Sequence, residues 1–337
     1  MKKTPKPSAP KIFRQTIIPP SISKGDTIGL VAPAGPLYQK SKFTAGVRFL
    51  EKKGFRLKYN SRLLNARGYL AGSDQERADE FNSLWADPEV KALVAARGGY
   101  GCLRLLDLIN MRQIRQNPKI LIGFSDLTVL LAAIYKKTGL VTYHGPVVTT
   151  LAGIDRKSQA SFLNILAGKP LDLISPAGLK ILKKGKAEGI LLGGNLTTLV
   201  HMMATPYEIP WNQAILFLED VGESPYRLDR FLTHLNRAGR LQKIKGLILG
   251  TFSDEDGKGI KNDWQASVNK RVLELLHHQN IPIWTNFPVG HTGKNLTMPI
   301  GTPVTMDSSD GKLCFNKLAP GSKITSKVLK GKTSKNS

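Results

Sequence analysis

The sequence predicts an α/β fold in which helices cover both faces of a parallel sheet. From Gly25 onward, short apolar runs alternate with stretches of helical periodicity, a pattern typical of parallel strands joined by helices. The loops "APAGP", "RGGYG" and "GFSD" follow three of these runs, and binding sites in parallel sheets form at the carboxyl ends of strands. The 337 residues suffice for about two domains of roughly 150 residues each. We therefore expect one crevice that these loops line.

The first region, residues 21–155, is predicted to form an N-terminal α/β domain. In chain order it contains the strand "TIGLVAP", a helix from Lys40 to Lys53, the strand "ALVAARGG", the helix "YGCLRLLDLI", the strand "KILIGF", a helix after Ser125 and the strand "LVTYHGPVV". A stretch of weaker periodicity, residues 156–186, is predicted to cross between domains.

The second region, residues 187–318, is predicted to be a C-terminal domain with a β-sheet and helices. "GILLGGNLTTLVHMM" predicts a strand, a glycine turn and a helix. The strand "AILFLEDVG", the helix "SPYRLDRFLTHLNRAG", the strand "IKGLILGTF", the helix "ASVNKRVLELLHHQN" and the strand "IPIWTNFPVG" follow. The run "PVTMDSSDGKLCF" predicts a closing hairpin around the turn residues Ser309-Asp310-Gly311.

The chain is strongly basic, with a net charge of +24 and a pI near 10.0. Part of this excess lies in residues 1–20 and 319–337, which we predict to be basic, flexible ends. Such charge attracts polyanions without any specific site. Because no helix-turn-helix, zinc-finger or aromatic RNA-binding signature accompanies it, we expect no specific nucleic-acid partner. A solvated basic surface or an acidic small substrate accounts better for the charge.

Composition indicates a globular protein that works in the cytoplasm. Hydrophobic residues make up 41% of the chain, mean hydropathy is −0.17, and no apolar run approaches the roughly 18 residues of a membrane span. The first residues carry lysines but no apolar core, so we expect no export signal. Cys102 and Cys314 are too few for a disulfide framework and lack the paired spacing of a zinc site.

Ser125 stands where the apolar run "KILIGF" gives way to a helix, and two interpretations compete. A serine before a helix is usually a cap that accepts hydrogen bonds from the first turn. The alternative is a nucleophile that the strand–turn–helix junction holds beside backbone N–H donors. The sequence Gly123 to Leu127 lacks the second glycine of G-x-S-x-G.

The loop "ARGGYG" places three glycines around Tyr100 between a strand and a helix. Glycines allow backbone N–H groups to approach a ligand closely, so the loop predicts half of an oxyanion hole or a phosphate cradle. A simple tight turn explains the pattern equally well, because neither phosphate-binding register is present.

A nucleophilic serine needs a base, and two histidines have a suitable position. The six histidines are His144, His201, His234, His277, His278 and His291. His144 and His291 each follow a predicted strand and neighbour a glycine, whereas the others fall in helical patterns. An acceptor for the base is offered by Glu219 and Asp220, which end an apolar strand. The residues alone leave both choices open.

Seven motifs together resemble the LD-carboxypeptidase family of serine peptidases. They are "GDTIGLVAPAGP", "RGGYG", "GFSDLT", "HGP", "LLGGNLTTL", "FLEDVGESPYRLDR" and "FPVGHTGKN", in this order, between about Lys24 and Pro303. The resemblance implies a first domain like the class I glutamine amidotransferases and a swivelling second domain. It also implies a serine elbow of the form GxSD, which this chain has.

The resemblance implies a Ser-Glu-His triad of Ser125, Glu219 and His291. The oxyanion would be held by backbone N–H groups of Gly98, Gly99 and Asp126. Arg97, Arg227 and Lys294 lie in or beside the matching motifs and are candidates to bind a substrate carboxylate.

The implied reaction is the release of D-alanine from murein tetrapeptide by serine-type hydrolysis of its terminal L,D amide, without metal or cofactor. A homodimer is also implied. The same family contains microcin C self-immunity peptidases, which cleave an amide between a peptide and a nucleotide analogue and would need a stacking aromatic such as Trp211, Trp264 or Trp284. A second alternative is a basic binding protein on a peptidase scaffold.

Overall fold

In the part of the chain that the structure describes, two large β-sheets and one two-stranded sheet form the framework. The computed structural model describes residues 15–169, 173–254, 264–315 and 320–325. The strands are β1 (Gln15–Ile17), β2 (Thr27–Val31), β3 (Arg56–Lys58), β4 (Val90–Ala95), β5 (Ile120–Gly123), β6 (Thr142–His144), β7 (Leu173–Ile174), β8 (Lys180–Lys183), β9 (Lys186–Asn195), β10 (Ala214–Val221), β11 (Gly246–Ser253), β12 (Ile283–Thr285), β13 (Met298–Ile300), β14 (Pro303–Asp307), β15 (Lys312–Phe315) and β16 (Lys323–Thr325). The helices are α1 (Lys40–Lys52), α2 (Asp74–Ala86), α3 (Met111–Gln116), α4 (Thr128–Thr138), α5 (Val148–Leu151), α6 (Arg156–Leu166), α7 (Leu196–His201), α8 (Pro225–Arg237) and α9 (Trp264–Leu275).

The first sheet contains the strands of the predicted N-terminal domain. Its order is β13-β6-β5-β4-β2-β3, and every pair is parallel except β13 with β6. Successive residues of β4 face opposite sides: Ala92 and Val94 pack into one hydrophobic cluster, and Leu93 and Ala95 into the other. This alternation means that the sheet is buried on both faces, as the near-continuous apolar strands predict.

The second sheet is mixed, with the order β7-β15-β14-β9-β10-β11-β12-β8. Its central strands β9 to β12 run parallel, and antiparallel strands flank them. The predicted hairpin is confirmed, because β14 and β15 pair antiparallel from Val304↔Phe315 to Asp307↔Lys312. The predicted α/β fold, with a parallel N-terminal sheet and a second sheet domain, is confirmed.

One predicted helix is wrong. The run "YGCLRLLDLI" forms only a short 3₁₀ turn, Cys102–Leu105, and the helix α3 begins after it. Asn110 decides the start of α3, because its side chain accepts a hydrogen bond from the N–H of Gln113 at 3.0 Å. Leu105 and Leu106 are buried by tertiary packing without forming the stripe of a regular helix, whereas Leu108 is 37% exposed.

Several connections cross the predicted domain limits. The strand β13 lies in the second region of the sequence but pairs with β6 of the first sheet, with Met298 opposite His144. Residues 156–186 contain α6, and β7 and β8 from the same stretch join the second sheet. The predicted flexible ends also contain paired strands, since β1 and β16 run antiparallel. The other residues of those ends lie outside the described ranges, apart from 18–20 and 320–322.

No helix in the described ranges is long and apolar enough to cross a membrane.

Candidate active site

Ser125 follows the end of β5 and has an unusual backbone. Its φ is +63°, in the left-handed region that residues other than glycine seldom occupy. Such a conformation costs on the order of 1 kcal/mol or more, and strained residues cluster at functional sites. Ala204, Gln213 and Asn286 also have a positive φ. The side chain caps neither the 3₁₀ turn Ser125–Leu127 nor α4, because neither has a side-chain cap hydrogen bond. The capping interpretation is therefore wrong.

The glycine loop "RGGYG" lies directly against Ser125. A Cβ atom on Gly98 would lie 2.7 Å from Ser125 Cβ and 2.9 Å from its Oγ, closer than real Cβ atoms approach. Gly99 has a φ of +121°. Within the described residues, the N–H groups of Gly98 and Gly99 donate no hydrogen bond. Asp126 is in the first turn after Ser125, where backbone N–H groups lack an intrahelical acceptor.

Gly98→Ala is expected to reduce the turnover number by about 10²-fold, the usual effect of losing one oxyanion donor. The added methyl group would push either the loop or Ser125 out of position. Gly293→Ala is the matched control, because a Cβ there meets no atom within 4 Å. Steady-state kinetics of both variants test this. Equal activities of the two variants would mean that the close approach of Gly98 is irrelevant to the reaction.

Glu219 and His291 form a hydrogen-bonded pair between the second sheet and the loop after β12. His291 Nδ1 lies 2.7 Å from Glu219 Oε2. A carboxylate can only accept, so Nδ1 carries the proton and Nε2 is left as the acceptor nitrogen. Glu219 is fully buried, and only 17% of the His291 side chain is exposed. A Cβ on Gly290 would lie 3.0 Å from Glu219 Oε2, so a glycine there allows the chain to pass the carboxylate.

Asp220 points away from this pair, as the alternation along a strand requires. Its carboxylate accepts hydrogen bonds from Asn195 Nδ2 and from both the N–H and the Oγ1 of Thr197, each at 2.8 Å. Asp220 therefore anchors the start of α7. The structure therefore shows that Glu219, and not Asp220, contacts His291. The sequence alone left this choice open.

Burial and charge act in opposite directions on the titration of the pair. Burial disfavours the charged imidazole of His291, but the adjacent Glu219 carboxylate outweighs burial and raises the pKa of His291. Burial likewise opposes ionisation of Glu219, but the imidazole lowers the pKa of that carboxyl. For Asp220, burial and repulsion by Glu219 raise the pKa to about 6. Glu219 is therefore ionised at neutral pH, and its partner His291 accepts a proton more readily than a free imidazole does.

His144, the other candidate base, is completely buried in the interior. Its ring packs edge-on against Phe124 and Phe217, with centroid distances of 5.9 and 5.1 Å. Neither ring nitrogen has a hydrogen-bond partner in the described residues. Burial lowers the pKa of His144 to about 4, so this imidazole stays neutral.

A cleft of about 900 Å³ brings most of the predicted site residues together. Its lining includes Ser125, His291, Gly98, Gly99, Asp126, Arg97 and Arg227. Glu219 is behind His291 and does not line the cleft. Lys294 is exposed and also lies outside the lining, near Asp155.

The two arginines of the cleft differ in whether an acidic side chain already neutralises part of their charge. Arg227 forms a 3.3 Å salt bridge with Glu223, so part of its charge is already neutralised. Arg97 donates to the Pro36 carbonyl at 2.8 Å and lies over the ring of Tyr38, and it forms no ion pair within the described part of the chain. Arg97 is therefore the better placed of the two to bind an added carboxylate.

The three tryptophans proposed for stacking do not line the cleft. Trp211 and Trp284 are buried in the core. Trp264 is half-buried and donates its indole N–H to the Glu223 carbonyl at 2.6 Å. Two tyrosines, Tyr38 and Tyr100, line the cleft instead and are 64% and 52% exposed.

The sequence did not indicate that Lys42, Asn195 and four threonines line the cleft; the threonines are Thr149, Thr150, Thr197 and Thr198. Tyr38 could have been found from its position just after the crevice loop "APAGP". Lys42 gave no signal, because a lysine on an amphipathic helix is ordinarily on the surface. Asn195 ends a strand and caps α7, so its sequence signal was that of a cap.

Comparison with known proteins identifies relatives along most of the chain. The family model for the LD-carboxypeptidase N-terminal domain matches residues 28–145, and the model for the LD-carboxypeptidase C-terminal domain matches residues 188–306. A Bacillus subtilis protein named "Probable murein peptide carboxypeptidase" is 36% identical over 305 residues, which cover 89% of this chain and 94% of that protein. The murein tetrapeptide carboxypeptidase of Pseudomonas aeruginosa is 31% identical over 295 residues, which cover 84% of this chain and 93% of that protein.

A solved structure shows the same fold. The microcin self-immunity protein MccF in its apo state superposes with a TM-score of 0.81 and 28% sequence identity, covering 90% of this chain and 99% of that one. Together with the two domain matches and the relatives above 30% identity, this establishes that the chain belongs to the LD-carboxypeptidase family of serine peptidases.

Proposed function

We propose that the protein is an LD-carboxypeptidase that hydrolyses the terminal L,D amide of murein tetrapeptide and releases D-alanine. The observation that carries this proposal is the Glu219–His291 hydrogen bond beside a cleft that also contains the strained Ser125. Acyl transfer by a triad requires a buried carboxylate, an imidazole with a free Nε2 and a serine whose hydroxyl does not cap a helix. The names of the relatives supply the substrate class.

The reaction proceeds in two halves. His291 Nε2 takes the Ser125 proton while Oγ attacks the carbonyl carbon of the scissile amide. Backbone N–H groups of Gly98, Gly99 and Asp126 stabilise the oxyanion. The imidazolium, held by Glu219, then protonates the leaving amine of D-alanine. A water molecule attacks the acyl-serine with His291 again as base, which releases the tripeptide and restores Ser125.

Arg97 is the proposed anchor for the terminal carboxylate of the substrate. A planar guanidinium binds a carboxylate through two parallel hydrogen bonds, and this limits cleavage to a chain end. Arg227 and Lys42 contribute a positive field around the cleft.

Incubation with three peptides tests the substrate assignment. We expect release of D-alanine from the murein tetrapeptide, and little cleavage of an all-L tetrapeptide or of the D,D bond of a pentapeptide. A D-residue after the scissile bond needs a dedicated pocket, which explains the discrimination. Mass spectrometry of the digests, with and without a chelator, measures it. Equal cleavage of the all-L peptide, or loss of activity with the chelator, would contradict the proposal.

The second candidate function is cleavage of a peptidyl-nucleotide amide, as the name of MccF suggests. The exposed Tyr38 and Tyr100 in the cleft favour it, because tyrosine rings can stack on a nucleobase. A peptidyl-nucleotide that is cleaved while the tetrapeptide stays intact would select this function. Cleavage of neither would favour the alternative of a basic binding protein on a peptidase scaffold.

We further propose that the enzyme acts in the cytoplasm on peptides from wall turnover, and that it is a homodimer. Sedimentation of the purified full chain tests the dimer, and fractionation of cells tests the location.

A further inference from the structure

We infer that the buried Arg77 is a positioning residue that holds the glycine loop 98–101 against Ser125. The inference rests on the proposed function, because its consequence is the alignment of the oxyanion donors of Gly98 and Gly99. Arg77 is on α2, a helix that contributes no side chain to the lining of the cleft.

Arg77 joins two loops that approach the cleft from different strands. Its Nη1 donates to the Gly101 carbonyl at 3.1 Å and to the carbonyl of Pro33. Its Nη2 pairs with Asp74 on the same helix. One guanidinium thus bridges the loop "APAGP" after β2 and the loop "RGGYG" after β4. A point charge such as lysine could not span the same set of acceptors in this way.

The same loop is tied down on its other side by Asp126. The Asp126 carboxylate is 5% exposed and accepts a hydrogen bond from the N–H of Cys102 at 2.7 Å. Gly35 N–H also donates to the Gly98 carbonyl at 3.1 Å. The Gly101–Cys102 peptide unit is therefore held by Arg77 at its carbonyl and by Asp126 at its N–H, while Gly35 holds the Gly98 end of the loop.

The energetics of Arg77 favour a positioning role over a stabilising one. The Arg77 side chain is fully buried, and its Nε has no partner in the described residues, while its partner Asp74 is 30% exposed. Removing a guanidinium from water costs several kcal/mol, and apolar replacements of buried ion pairs are often as stable. Arg77 instead fixes the position of the loop, and a reacting group must be held within about 0.5 Å of its productive position.

Loosening the loop should reduce stabilisation of the transition state more than it reduces binding of the substrate. The N–H groups of Gly98 and Gly99 act on the charge that develops in the tetrahedral intermediate, whereas the substrate is also held elsewhere in the cleft. The expected signature of an Arg77 variant is a lower kcat with a nearly unchanged KM.

The test compares Arg77→Met with Arg104→Met in the full-length protein. The Arg104 side chain also pairs with Asp74, at 2.8 Å, but donates to neither loop carbonyl. The Arg104 backbone N–H donates to the Gly101 carbonyl at 3.2 Å, and Arg104→Met keeps that bond. For Arg77→Met we expect kcat on the tetrapeptide to fall about 10²-fold, the loss of one oxyanion donor, with KM within about threefold. The rate at which a fluorophosphonate labels Ser125 should fall in parallel. Arg104→Met should leave both within about twofold.

Hydrogen exchange of the amides of residues 98–102 gives a readout that needs no substrate. Faster exchange in Arg77→Met than in Arg104→Met is expected, and unchanged exchange would overturn the inference. If Arg77→Met does not fold, Arg77→Lys keeps the charge and should show the same changes to a smaller extent.

A wild-type protein that neither cleaves peptide nor is labelled would refute the proposed function, while the exchange data would still decide the role of Arg77. Normal kcat with faster exchange would overturn the catalytic consequence.

Discussion

Ser125→Ala is expected to lower kcat on the tetrapeptide by on the order of 10³-fold or more while the protein stays folded. Loss of a triad nucleophile leaves only substrate binding and oxyanion stabilisation. The Ser125 side chain makes no capping hydrogen bond, so its removal should change the free energy of unfolding by less than about 1 kcal/mol. Steady-state kinetics and thermal unfolding measure the two effects.

Ser83→Ala provides the matched control for this variant. The Ser83 hydroxyl donates to the Glu80 carbonyl at 3.0 Å within α2, away from the cleft. Its loss should leave kcat unchanged. Near-normal activity of Ser125→Ala, or a loss of stability without a loss of activity, would remove Ser125 from the mechanism.

His291→Ala is expected to be about as damaging as Ser125→Ala, because the residues of a triad act as one unit. For the same reason, the double variant should lose little more than either single one. His144→Ala should affect kcat much less, since His144 packs between Phe124 and Phe217 and does not line the cleft. A double variant that loses the product of the single effects would mean that Ser125 and His291 act independently.

The pH profile gives a separate test of the Glu219–His291 pair. The base must be neutral, so activity falls as pH drops through the pKa of His291, which Glu219 raises above its usual value near 6.5. Glu219→Gln removes that attraction and leaves burial, which lowers the pKa of His291. The acidic limb of kcat/KM should therefore move to lower pH, and kcat should fall about 10²- to 10⁴-fold. An unmoved acidic limb would show that Glu219 does not support the base.

Most of the central strands of the two large sheets could be predicted from local patterns, but β3 and α2, between α1 and β4, were not predicted. The strands β2 and β5 are buried along their whole length, and β4 is buried at every position except Lys91, because the parallel sheet is covered on both faces. The prediction of a helix over "YGCLRLLDLI" was wrong because a run of leucines indicates burial but does not show whether the buried segment is helical. The pairing of β13 with β6 was equally beyond prediction, since partners far apart in sequence leave no local signal.

The amino-acid sequence contained all the chemical groups of the candidate site, but it could not say which of them meet. Glu219 and Asp220 are chemically similar neighbours, and only the direction of each side chain from β10 sends one to His291 and the other to Thr197. His144 and His291 both neighbour a glycine, yet His144, the last residue of β6, is enclosed by aromatic rings. His291, in the loop after β12, contacts a carboxylate that lies 72 residues away in the sequence. Local sequence encodes propensity and burial over a few residues. The distance between side chains from different strands depends on how the two sheets pack, and only the folded chain determines that.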